Sequence, residues 1–148
     1  MRLATDGAGL RRIDFLDGRA DRRAPADWIR DDAAFAGVIE QLRAYFAGAL
    51  RDFTAPLAPQ GTSFQQDVWL RLRDIPYGET ISYSELAMRV GNPRAFRAVG
   101  LANGQNPIPI LIPCHRVIGK DGTLVGYGGG LHIKEKLLAL ERGGRLPF

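Results

Sequence analysis

The chain has 148 residues, 45% of them hydrophobic, with one cysteine and a net charge of +4. This length suits one compact unit or two small ones, and the composition excludes a disordered chain. No apolar run approaches the ~18 residues that cross a bilayer, residues 1–6 lack the apolar stretch of a leader peptide, and one thiol forms no internal disulfide, so a cytoplasmic protein without membrane contact is expected.

Residues 3–5 and 10–15 read as two strands around a turn, because Asp6-Gly7 supplies turn chemistry and Ile13 and Phe15 alternate with polar neighbours. Residues 17–27 read as a loop. Over 31–50, Phe35, Val38, Ile39, Leu42, Tyr45, Phe46 and Leu50 recur at helical spacing, which predicts an amphipathic helix whose aromatic stripe is core. Residues 54–61 carry two prolines and read as a linker. A second helix is predicted over 63–72, capped by Ser63, with Phe64, Val68, Trp69 and Leu72 buried. Residues 82–90 form a short helix with Ser82 and Glu85 as a capping box. Gly91-Asn92-Pro93 makes a turn with Asn92 as N-cap, and 94–103 a further helix, giving a helix-turn-helix. A last helix over 131–142 stops at Gly143-Gly144.

The charge is uneven. Residues 1–59 hold nine Arg against nine Asp plus Glu, while 60–148 hold eleven Lys plus Arg against seven Asp plus Glu. The whole excess lies in the second part, which suits a polyanionic partner or a solvated basic surface equally. Within the helix-turn-helix, Ala95, Ala98, Gly100 and Ala102 are small. A gene regulator needs long polar side chains there to read the major groove, whereas small ones permit close approach to a minor groove.

The motif that carries chemistry is Pro113-Cys114-His115-Arg116-Val117, after the proline-bracketed run Ile108 to Pro113. A lone Cys is most often a buried hydrophobe. Here an imidazole and a guanidinium follow it, and both would favour the nucleophilic thiolate. In extended backbone the adjacent side chains of Cys114 and His115 point apart, so the pair is expected to communicate through a water. Neither one Cys nor two His supports a structural zinc, and no metal or cofactor is expected.

The stretch from Asn106 to Gly119 resembles the active-site signature of the O6-alkylguanine-DNA alkyltransferases. The similarity runs from about Thr62 to Glu141 and includes Gly78-Glu79-Thr80-Ile81-Ser82-Tyr83, Gly91-Asn92-Pro93, Arg97-Ala98-Val99-Gly100, Tyr127-Gly128-Gly129-Gly130 and Lys134-Glu135-Lys136-Leu137-Leu138, in the family's order and spacing. The resemblance implies an α+β fold. An N-terminal α/β subdomain over 1–58, a shortened ribonuclease H-like sheet with a helix, precedes a winged helix-turn-helix domain over 62–148. It implies stoichiometric transfer of an alkyl group from O6-alkylguanine in duplex DNA to Cys114, with O4-alkylthymine a second candidate substrate.

It also assigns roles. Glu141 orients His115, and Tyr83 donates a proton at the purine N3 edge. Asn106 ties the helix-turn-helix to the active-site loop. Arg97 replaces the extruded nucleotide, with Arg94, Ala95 and Ala98 beside it on a minor-groove face. Pro109, the carbonyls of Cys114 and Val117, and the Gly128 amide meet the base under a lid that begins at Tyr127. A monomer is expected. Two other readings stand beside this one: a non-enzymatic lesion sensor or winged-helix regulator, and a cysteine hydrolase, for which the basic helix-turn-helix has no role.

Overall fold

The computed structural model of the chain describes residues 1–16, 24–125, 127 and 130–144. It is an α+β protein: a small antiparallel sheet at the N-terminus, then a mainly helical portion. The predicted loop over 17–27 and the lid residue Gly128 lie wholly or partly outside the described residues.

Strands β1 (Arg2–Thr5) and β2 (Leu10–Asp14) pair antiparallel, with Leu3 opposite Ile13. Thr5 Oγ1 accepts from the Gly7 amide and donates to the Gly9 carbonyl, closing the turn that Asp6-Gly7 predicted. Leu10 and Ile13 point into the core. The linker expected over 54–61 does more than connect. It lies along β2, with the Leu10 amide donating to Pro56 O at 2.9 Å and the Ala58 amide to Leu10 O at 2.8 Å. It therefore supplies part of the backbone pairing that a two-stranded sheet lacks.

The helix expected over 31–50 is shorter. A 3₁₀ turn, Asp32–Phe35, leads into α1 (Ala36–Phe46), and Asp31 Oδ1 accepts from the Ala34 amide. Gly48 takes φ +75° just past the end, a conformation that costs Gly least and closes helices. Leu42 and Tyr45 are the buried members of the predicted stripe; Phe35, Val38, Phe46 and Leu50 are partly buried against the core, and Ile39 is half-buried.

Helix α2 (Ser63–Leu72) is capped by Thr62, not Ser63. Thr62 Oγ1 accepts from the Gln65 amide at 3.1 Å and Gln65 Oε1 accepts from the Thr62 amide at 2.9 Å. Either hydroxyl can cap, but only Thr62 stands three residues before a Gln that reciprocates. Phe64 consequently turns outward and is exposed, while Val68, Trp69 and Leu72 are buried. The Trp69 indole N–H donates to Ala102 O at 2.9 Å, which joins α2 to a later part of the chain.

Strand β3 (Ile81–Ser82) runs straight into α3 (Tyr83–Arg89), where Ser82 Oγ caps the Glu85 amide. Helix α4 (Phe96–Gly104) starts later than predicted. The Ala95 amide bonds to Asn92 O, so Asn92 and Pro93 form a separate turn and Asn92 is not the N-cap. Strand β4 (Val117–Ile118) pairs parallel with β3, Ile81 against Val117, an interaction that residues this short do not announce. Helix α5 (Leu131–Glu141) ends at Gly143, φ +90°. No described helix is long and apolar enough to cross a membrane.

Candidate active site and DNA-facing helix

The cysteine loop is built from backbone constraints. Pro113 sits at φ −80°, ψ 64°, and the Cys114 amide donates to Ile112 O at 2.8 Å, an inverse γ-turn. Ile110 takes φ 75°, where a β-branched side chain is strained by about 1–3 kcal/mol. Asn106 holds this loop from both ends of its amide: Nδ2 donates to Ile112 O at 2.7 Å, and Oδ1 accepts from the Ile108 amide at 2.9 Å. Pro109 is buried within the same loop.

Beyond Pro113 the backbone is not extended. Residues Cys114–Arg116 form a 3₁₀ turn, all three buried. Cys114 and His115 are therefore not on a strand, and the extended backbone expected to point their side chains apart is absent. Another feature takes its place. His115 Nε2 lies 2.7 Å from Glu141 Oε1, and its Nδ1 is buried with no partner. A carboxylate can only accept, so the imidazole proton belongs on Nε2 and the Nδ1 lone pair is free.

Glu141 is a buried hub. Its Oε1 accepts from His115, from Arg116 Nη2 at 2.8 Å and from the Tyr45 hydroxyl at 2.7 Å. Its Oε2 accepts from Arg116 Nε at 2.9 Å and from the Gly78 amide at 3.3 Å. Burial pushes its pKa up, but the bonds from His115 and Arg116 outweigh burial and hold it down at about 2. Gly78 stands at φ +82°, so its place in the hub depends on a conformation that a side chain disfavours.

The thiol does not behave as the sequence suggests. Arg116 is turned away to Glu141 and to Ile75 O, which its Nη1 meets at 2.6 Å. Burial dominates and pushes the Cys114 thiol up to about 11, against smaller opposing effects from Asn106 and the Lys134 charge. Burial likewise lowers the His115 pKa, against the pull of Glu141. Thiol and imidazole are thus both neutral at rest.

Lys134, unmarked by any role in the sequence, is fully buried and donates to Val117 O at 2.6 Å and Val125 O at 3.1 Å. It occupies one of the carbonyls expected to read a base. The Tyr83 hydroxyl donates to the same Val125 O at 2.9 Å, and its pKa is raised first by burial and then by Cys114. Tyr127 buries its hydroxyl without a partner, and its ring lies 6.1 Å from that of Phe15. Asn103, also missed, points Nδ2 toward Cys114 O at 3.5 Å and leaves Oδ1 buried and unpartnered. Its only sequence signal was an amide on the inner face of a helix of small residues.

On α4, Arg97 and Ala98 are exposed; just before it, Arg94 is exposed and Ala95, the N-cap, is half-buried. The Arg97 guanidinium rests 5.9 Å from the centre of the exposed Phe96 ring. Buried Val99, Ala102 and Asn103 face the other way, so one helix presents its outer side to solvent and its inner side to the cysteine loop.

Both parts of the chain are similar to known proteins. Residues 63–143 match the family of the 6-O-methylguanine DNA methyltransferase DNA-binding domain, and residues 1–59 match its ribonuclease-like domain. The chain is 56% identical over 139 residues to the methylated-DNA–protein-cysteine methyltransferase of Methanosarcina barkeri, covering 94% of this chain and 88% of that protein. It is 60% identical over 115 residues to the protein of the same name from Mycolicibacterium paratuberculosis, covering 78% and 70%. A crystal structure of Mycobacterium tuberculosis OGT in complex with DNA superposes with a TM-score of 0.89 at 50% identity, covering 98% of this chain and 88% of that one.

Proposed function

The chain belongs to the 6-O-methylguanine DNA methyltransferase family, and we infer from that premise that it repairs DNA by moving the alkyl group of O6-alkylguanine onto its own Cys114. The observation that carries the residue assignment is the buried row of thiol, neutral imidazole with a free Nδ1, and fully bonded carboxylate. His115 takes the thiol proton through Nδ1, directly or through one water, and Glu141 stabilises the imidazolium that results. The sulfur–carbon bond forms as the O6–carbon bond breaks. The electron pair of the broken bond stays on the purine, and a proton from Tyr83 at N3 neutralises it.

The alkylated sulfur is a thioether with no good leaving group, so each molecule acts once. The base leaves the stack to reach the thiol. Arg97 fills the space it vacates, and Arg94, Ala95 and Ala98 line the approach to the minor groove. Pro109, Val117, Tyr127 and Gly128 bound the base pocket. Residues 1–58 and 62–148 form the two units, and the protein works as a cytoplasmic monomer. A non-enzymatic lesion sensor is not favoured, because it gives the Cys114–His115–Glu141 row nothing to do.

The test is transfer of labelled methyl from an O6-methylguanine duplex, followed by peptide mapping. Label should appear on the Cys114 peptide and vanish in Cys114→Ser. Duplex binding without label on Cys114 would support the sensor.

A further inference from the structure

We propose that Tyr45, from the N-terminal unit, is a positioning residue that sets the pH range of alkyl transfer by sharing Glu141 Oε1 with His115. This rests on the proposed use of His115 as base. The hydroxyl donates to Oε1 at 2.7 Å across 96 residues of sequence, and both residues are buried. A fully buried tyrosine usually finds a partner for its hydroxyl. This one finds the same oxygen that faces the imidazole.

Arg116 already fixes the carboxylate, through Nε on Oε2 and Nη2 on Oε1. Tyr45 is therefore not needed to keep Glu141 in place. Its effect is electrostatic: each donor on Oε1 disperses negative charge that would otherwise stabilise imidazolium. The other groups facing the pair are Arg116 and Lys134, whose charges oppose protonation of His115, and Tyr77 and Tyr127, which feel Glu141. Tyr77 packs edge-on to Tyr45 at 6.1 Å and lies under the Arg116 guanidinium. None of these donates to Oε1 besides Arg116.

The sign follows. Without the Tyr45 hydroxyl, the charge of Glu141 acts more fully on His115 and raises its pKa. The neutral base is then lost at a higher pH. In single-turnover alkylation of Cys114 by a saturating O6-methylguanine duplex, Tyr45→Phe should move the acidic limb of the pH–rate profile upward by about half a unit to one unit. The ring contacts with Phe46, Phe53 and Tyr77 remain in this variant. Phe53→Leu loosens the same packing and should lower the melting temperature without moving the limb. In a Glu141→Gln background, Tyr45→Phe should add no shift.

An unmoved limb in Tyr45→Phe, or an equal shift in Phe53→Leu, would reduce Tyr45 to packing. Neither outcome touches the transfer reaction, which fails only if the unaltered protein leaves Cys114 unmodified.

Discussion

Cys114 and His115 stand next to each other and are both held uncharged by burial, the thiol at about 11 and the imidazole below its ordinary value. A protonated thiol is a poor nucleophile, which protects a group that reacts once from chance electrophiles. In the proposed mechanism, reactivity then depends on His115 accepting a proton at the moment of transfer, and on Glu141 stabilising the resulting charge. Glu141→Gln keeps the shape and removes the charge. Transfer should slow by roughly ten- to a thousand-fold, with duplex affinity unchanged; a normal rate would remove Glu141 from the chemistry. The same carboxylate links stability to pH. Its folded-state pKa is about 2 against an ordinary 4.5, so its contribution is complete above pH 4.5 and is lost as pH falls toward 2. Denaturant midpoints should drop over that window in the native protein and drop less in Glu141→Gln. Equal drops would show that another group governs acid unfolding.

The helix pair shows how one element serves two purposes. Small residues let α4 pack closely through Val99 and Ala102 and leave Arg97 as an exposed long side chain on its outer face. Extrusion of a base costs a few kcal/mol of stacking and pairing, and a side chain in the gap offsets part of it. Arg97→Ala should therefore slow repair of a duplex markedly and affect free O6-benzylguanine much less. Equal slowing on both would place Arg97 in the fold or the pocket. Local signals located these elements well. Ser82 caps α3 as its spacing with Glu85 implied, and Gly143 marks the end of α5. The errors came where two local solutions compete. Thr62 and Ser63 can each cap, and Asn92-Pro93 can open either a helix or an isolated turn.

At the scale of the whole molecule, the contacts that build the site span the chain. Tyr45 meets Glu141, the Ile13 amide donates to Pro107 O at 2.9 Å, and Gly78 reaches the same carboxylate. The cysteine motif was legible because its residues are contiguous. Tyr45 was not, because helical periodicity reports burial and says nothing of what a buried hydroxyl faces. The direction of Arg116 was hidden for the same reason: sequence places a charge beside the thiol, and only tertiary packing turns it to Glu141. Charge is a property read on this scale too. With the excess confined to residues 60–148, duplex affinity should fall linearly on a log–log plot against salt, and salt-independent binding would contradict a phosphate-neutralising surface.

Under the proposed mechanism a single thiol is consumed in each repair event. Titration of the protein with excess O6-methylguanine duplex, read by intact-protein mass and by guanine formed, tests it most directly. The prediction is one methyl group per molecule, on Cys114, with repaired guanine equal to protein consumed. Guanine formed in excess of protein, or repair with an unmodified Cys114, would contradict it.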